Sequence, residues 1–132
     1  MNNNLNVQSP SFGMAYRVGD VKQMAKYLNE QEPAVIKELG EKMANAVEKL
    51  KDTKYADAVL YADNERKTLG HAIQWKHPVF KEDGTIFPGF SGVCMGGDID
   101  KAVEATLEKE NAMAAAFEYA EKQAEVLKKM AQ

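Results

Sequence analysis

The stretch that decides the fold is residues 98–132, DIDKAVEATLEKENAMAAAFEYAEKQAEVLKKMAQ, which contains no proline or glycine. Strong helix formers such as alanine, glutamate and lysine fill it, so it is predicted to form one long helix. At about 1.5 Å of rise per residue, this helix would be about 50 Å long. A compact chain of 132 residues is only about 36 Å across. The helix is therefore expected to extend beyond its own domain, unless it bends.

The middle of this helix is polar on every side. Residues 108–111, Glu-Lys-Glu-Asn, fill a full turn, and Val103 and Leu107 point away from the apolar residues that follow. Continuity is favoured because all four polar residues are tolerated in helices. The alternative is a break at Asn111, which would return two shorter helices to the domain.

The second half of the helix carries a broad apolar surface. Its centre is the candidate interface, formed by Met113, Phe117, Ala120, Ala124 and Leu127. Further apolar residues widen the surface to about half of the circumference, which is broader than a coiled-coil seam: Ala112, Ala116, Tyr119, Val126 and Met130. We therefore expect this half to contact two neighbours at once.

Two shorter helices are predicted near the N-terminus. Asp20 fits the N-cap of the first, and Pro33 suits the first turn of the second, where its missing N–H is not needed. The second helix has one apolar stripe that is expected to lie on a core: Ile36, Leu39, Met43, Ala46, Val47 and Leu50.

The chain before these helices divides into two parts. Residues 1–11 are polar, rich in asparagine and serine, and interrupted by Pro10, so a mobile tail is predicted, followed by a single domain over residues 12–132. Within Ser11–Val18, apolar residues alternate with small or polar ones. This pattern is typical of an edge strand of the same domain or of an arm docked on another protein. The sequence leaves open whether the segment packs in cis or in trans.

Strand-like patterns occupy the middle of the chain. Residues 56–62 and 68–76 are separated by a polar connection of hairpin size. Asp83-Gly84 separates two further short apolar runs and predicts a type I′ turn, in which both residues have positive φ. The predicted fold class is therefore α+β, with two N-terminal helices, a small antiparallel β-meander of three to four strands and a long C-terminal helix.

The chemically versatile side chains are His71, Trp75, His77 and Cys94. They are the candidate ligand-binding residues for a site between the sheet and the glycine-rich loop 88–98, which has four glycines in eleven residues. No phosphate-binding motif is present, and the His-x5-His spacing is not typical of metal ligands. We therefore expect no cofactor and no metal.

Composition limits the functional classes. The formal charge is −3, and 17 basic residues are interleaved among 20 acidic ones, so neither nucleic acid nor a membrane is an expected partner. The single cysteine excludes an intramolecular disulfide framework, the N-terminus has no signal-peptide pattern, and no run of about 20 apolar residues occurs. A cytoplasmic location is expected.

Two functional hypotheses follow. The first is a noncatalytic interaction or assembly module, homo-oligomeric through its helices or bound to another protein. The alternative is a small-molecule-binding protein or small enzyme that uses the four side chains between His71 and Cys94. A convergent arrangement of those side chains in a cleft would favour the alternative.

Overall fold

The computed structural model describes residues 14–131, and the structural statements below concern those residues. The predicted α+β class, with two N-terminal helices, a four-stranded sheet and one long C-terminal helix, is confirmed. The predicted tail over residues 1–11 lies outside the described residues. In chain order the elements are β1 (Tyr16–Val18), α1 (Val21–Asn29), α2 (Pro33–Lys49), β2 (Ala56–Asp63), β3 (Thr68–Phe80), β4 (Ile86–Gly96) and α3 (Ile99–Met130).

The helices begin where the sequence predicts. The Asp20 carboxylate accepts a hydrogen bond from Gln23 N at 3.1 Å, and Pro33 occupies the first turn of α2. The Asp98 carboxylate accepts from Lys101 N at 3.1 Å. These contacts satisfy backbone donors that have no partner within the helix.

The sheet is mixed, with the order β1-β2-β3-β4. The predicted purely antiparallel meander is wrong at one edge, because β1 runs parallel to β2 and pairs Tyr16 with Ala58. Helices α1 and α2 connect these two strands and return the chain to the end of the sheet where β1 began. Parallel strands require a crossover connection of this kind. The described part of the N-terminal segment, Tyr16–Val18, thus pairs in cis, while residues 11–13 lie outside the described residues.

The predicted glycine-rich loop 88–98 is mostly strand. β4 continues through Gly96 and pairs with β3 from Gly70 opposite Gly96 to Phe80 opposite Ile86. Glycine is needed at position 89 because a Cβ atom there would lie 2.7 Å from His77 Cε1. The missing side chain at position 89 therefore reflects close packing within the sheet and does not indicate a loop.

The turn between β3 and β4 confirms the predicted hairpin but not the predicted turn type. Lys81 N donates to Thr85 O at 2.8 Å, and Gly84 N donates to Lys81 O at 3.0 Å. Only Gly84 has a positive φ here, at 86°. A type I′ turn needs positive φ at both central residues, whereas one left-handed glycine after a turn is typical of a longer hairpin loop.

Helix α3 is continuous through residues 108–111, as favoured from the sequence. Its 32 residues span about 48 Å, and the 13 residues of β3 span about 43 Å. The helix follows the β3–β4 hairpin over this length, from the end of β4 to Gly84, which contacts Leu127. Pairing between β2 and β3 ends at Trp75. We call the part beyond it, residues 76–90 and 113–130, the outer arm.

The core lies on one face of the sheet. Its strand residues, Tyr16, Ala58, Leu60 and Ile73, share one face, because alternate residues of a strand point the same way and paired residues match. All three helices contribute to the same core with Met24, Ala46, Leu50, Ile99, Ala102 and Val103. The helices therefore cover one face of the sheet. Within the described residues, none of the helices is both long and apolar enough to cross a membrane.

Candidate functional site

His71 is completely buried and both of its ring nitrogens are occupied. Nδ1 lies 2.8 Å from Gly96 O, and Nε2 lies 2.7 Å from the Tyr16 hydroxyl. A carbonyl oxygen can only accept, so Nδ1 carries the proton and Nε2 accepts from Tyr16. Burial lowers the pKa of His71 and raises the pKa of Tyr16. The neutral imidazole thus links β1, β3 and the end of β4 inside the core.

Trp75 and His77 lie on the same face of β3 as His71. The Lys109 ammonium group is 4.3 Å from the centroid of the Trp75 ring, which is a cation–π distance. The His77 ring lies across Gly89 on β4. Both rings therefore contribute to packing of the hairpin and α3.

Cys94 lies on the opposite face of the sheet from the two histidines. It pairs with Ala72, which alternates with His71 along β3, and its side chain is exposed. Partial burial and the neighbouring Cys94 thiol raise the pKa of the Tyr61 hydroxyl. The structure therefore brings three of the four candidate residues onto one face and leaves the cysteine apart. Within residues 14–131, no three His, Cys, Asp or Glu side chains lie close enough together to hold a metal ion.

The uncovered face of the sheet has a small pocket beside Asp57, Gln74 and Phe90. Its volume is about 140 Å³, whereas ligand pockets are commonly about 300 to 1,000 Å³. Asp57 Oδ2 lies 2.9 Å from Arg17 Nη1, and the buried Oδ1 has no hydrogen-bond partner in the described part of the chain. The pocket is therefore too small for a typical organic ligand, and its main feature is an ion pair between β1 and β2.

Glu110 is a structurally important residue that the sequence analysis did not single out. Its Oε1 accepts from three successive backbone groups, Lys54 N at 2.9 Å, Tyr55 N at 2.6 Å and Ala56 N at 3.0 Å. The polar turn 108–111, which interrupts the apolar face of the helix, was the available signal. The backbone donors that it reaches are 54 to 56 positions away, so sequence spacing could not identify them.

The predicted interface on α3 is largely used within one copy. Ala120 and Ala124 are only 1% and 8% exposed. The Phe117 ring stacks on Tyr55 with centroids 4.9 Å apart, and Leu127 contacts Gly84. The predicted interface of Met113, Phe117, Ala120, Ala124 and Leu127 stays a prediction: Ala120 and Ala124 pack inside the chain, whereas Leu127 is 47% exposed.

A second row of apolar side chains on α3 remains exposed. Tyr119, Val126 and Met130 are 64%, 49% and 75% exposed. Residues seven and four positions apart fall on one side of a helix, so these three form a line, which we call the outer stripe. It lies roughly 120° around α3 from Ala120 and Ala124. That this row forms the second of the two contacts expected from the broad apolar half of the helix stays a prediction.

We compared the chain with protein-family models, with curated proteins and with solved structures, and none of them matches.

Proposed function

We propose that this protein is a noncatalytic assembly module that forms a homo-oligomer through α3. The observation that carries the proposal is the outer stripe of Tyr119, Val126 and Met130. Single exposed apolar residues are normal on a protein surface, but an aligned row of large ones is typical of a binding surface. Burying this row against a second molecule would remove it from water.

The spacing of the stripe favours another helix as its partner. Tyr119 and Val126 are seven residues apart, and Ala116, Gln123 and Met130 complete the two alternating core positions of a heptad repeat. Ala116 is small enough to permit close approach of a second helix. The other apolar side of α3 packs on the hairpin of the same copy, so each helix would have one internal and one external neighbour.

The placement of the chemically versatile side chains supports the noncatalytic part of this proposal. Both nitrogens of His71 are held by internal hydrogen bonds, and Cys94 is on the other side of the sheet. A nucleophile and its base must lie within hydrogen-bond reach of each other, and these two do not. The alternative of a small-molecule site or small enzyme thus loses the cluster on which it depended.

We further propose that the partner is a protein, either a second copy or another chain, and that the module binds neither nucleic acid nor a membrane. We also propose that it works in the cytoplasm. The interleaved charges favour a protein partner over nucleic acid or a membrane, since no excess of basic residues is available to contact phosphate groups. The single, exposed cysteine favours a reducing compartment.

Sedimentation equilibrium over a wide range of concentrations tests the proposal. The wild-type protein should dimerise, and Val126→Ser should weaken the dimer by about tenfold or more, because each interface loses two valine side chains. Val21→Ser is the matched control, since Val21 is an exposed valine on α1. Monomer mass at every concentration would reject self-association.

A further inference from the structure

We propose that the second copy binds antiparallel to the first along α3, on a two-fold axis that passes between Gln123 and Ala124. This inference rests on the proposed function and specifies the geometry of its partner. Two independent features of α3 point to the same axis: the order of charges beside the outer stripe and the position of Tyr119.

Four charged residues lie along one flank of the outer stripe: Glu118, Lys122, Glu125 and Lys129. Within one copy, Lys122 Nζ lies 3.2 Å from Glu118 Oε1, and both side chains are more than 70% exposed. An exposed pair of this kind contributes little to the stability of a single copy. These side chains are therefore free to change partner when a second molecule approaches.

A two-fold axis between Gln123 and Ala124 matches these charges by sign. It brings position 122 level with position 125 of the second copy, and position 118 level with position 129. Each Lys122 then faces Glu125 of the second copy, and each Glu118 faces Lys129 of the second copy. The Lys122–Glu125 pairs and the Glu118–Lys129 pairs are both centred between positions 123 and 124. One two-fold axis can therefore satisfy both kinds of pair. Complementary charges of this kind select the orientation and register of paired helices.

The same axis fits the apolar side chains. It brings Tyr119 level with position 128 of the second copy, between Val126 and Met130 of that copy's outer stripe. A side chain that inserts between residues of the facing helix is the packing expected of paired helices. Two such insertions, one from each copy, would bury the tyrosine rings.

A parallel arrangement does not fit α3. In a parallel pair of helices, the charged flank of one helix faces the opposite flank of its neighbour, on the other side of the outer stripe. Here that opposite flank contains Ala120, which is already buried within its own copy, and Leu127, which lies beside Gly84 of the hairpin and carries no charge. An antiparallel two-fold instead places the charged flank of each copy against the charged flank of the other.

Two charge-reversed variants test this geometry. In one, Glu118→Lys and Glu125→Lys leave only lysine on the flank; in the other, Lys122→Glu and Lys129→Glu leave only glutamate. Each variant alone should dimerise about tenfold or more weakly than wild type in low salt, because like charges face each other. An equal mixture should form a heterodimer at least as strong as the wild-type dimer.

The control variant carries Glu41→Lys and Glu104→Lys, which change the net charge by the same amount as the all-lysine variant, at exposed positions away from the flank. It should dimerise like wild type. Circular dichroism checks that each variant keeps its helix content. If wild type dimerises but the reversed variants do so equally well, or their mixture gives no heterodimer, the antiparallel geometry is wrong while the proposed function stands. If wild type is monomeric throughout, both are rejected.

Discussion

Glu110 on α3 holds the backbone of Tyr55 at the start of β2, with Oε1 2.6 Å from Tyr55 N. The same oxygen also accepts from the residues on either side of Tyr55. Two turns of helix beyond Glu110, the Phe117 ring stacks on the Tyr55 ring. The point where the sheet ends and the outer arm begins is thus fixed by one carboxylate and one aromatic pair.

Replacing Glu110 by alanine should lower the free energy of unfolding by about 2 to 3 kcal/mol, because three backbone N–H groups lose a charged acceptor. Urea denaturation followed by circular dichroism measures the change. Glu108→Ala is the matched control, since Glu108 is exposed on the same turn, and its effect should stay within about 0.5 kcal/mol. Equal stability of the two variants would contradict the assigned role of Glu110.

Replacing Tyr16 by phenylalanine should destabilise the protein by about 1 to 3 kcal/mol, because it leaves the buried Nε2 of His71 without a donor. Phenylalanine keeps the shape of the ring, so the loss reports the hydrogen bond. Tyr27→Phe is the control, as the Tyr27 hydroxyl has no hydrogen-bond partner among residues 14–131. If both variants unfold at the same urea concentration, the buried hydrogen bond contributes little.

Mild acid should destabilise the protein through His71. Burial lowers its folded-state pKa below the ordinary value of 6.5, so below pH 6.5 the unfolded chain binds a proton that the folded chain does not. The free energy of unfolding should then fall as the pH drops, by up to about 1.4 kcal/mol per pH unit from this group, until the folded-state pKa is reached.

Urea titrations at several pH values between neutral and mildly acidic conditions check the direction of this effect. The variant His77→Gln retains the buried His71, so the loss of stability toward acid should persist in it. A free energy of unfolding that is constant over this interval would contradict the prediction.

Two adjacent glycines should respond differently to alanine. At Gly97, a Cβ atom would lie 2.8 Å from the backbone oxygen of Leu69, whereas at Gly96 nothing lies within 4 Å. Gly97→Ala should therefore cost about 1 to 3 kcal/mol through overpacking, while Gly96→Ala should be neutral or slightly stabilising. Thermal unfolding of the two variants gives the comparison, and a smaller loss at position 97 than at 96 would contradict the close approach of Gly97 to Leu69.

The sequence was sufficient to predict the features that depend on local chemistry. Asp20 and Asp98 identified helix starts, and the absence of any helix breaker after Gly97 identified α3. The parallel pairing of β1 was missed because three residues of strand carry no information about direction, which depends on how the intervening helices return the chain.

The glycine-rich segment was misassigned for a different reason. Glycine is depleted in strands on average, and its presence in β4 depends on the His77 ring that crosses it, which is a tertiary contact. The same limit applies to the candidate site. Residues between His71 and Cys94 are close in sequence, but the register of β3 and β4 decides which face each occupies. The breadth of the apolar surface on α3 predicted two neighbours; the structure shows one, the rest of the same copy, and the second neighbour stays a prediction.

The outer arm has a consequence for local order. Beyond Trp75, the sheet narrows to the two strands of the hairpin, and a two-stranded ribbon is marginally stable in water. Opening of this arm should therefore require less free energy than global unfolding. If a second copy covers α3, the amide hydrogens of α3 should exchange with deuterium more slowly as protein concentration rises, while exchange in β2 remains unchanged. Assembly would then be the event that completes the folding of the outer arm.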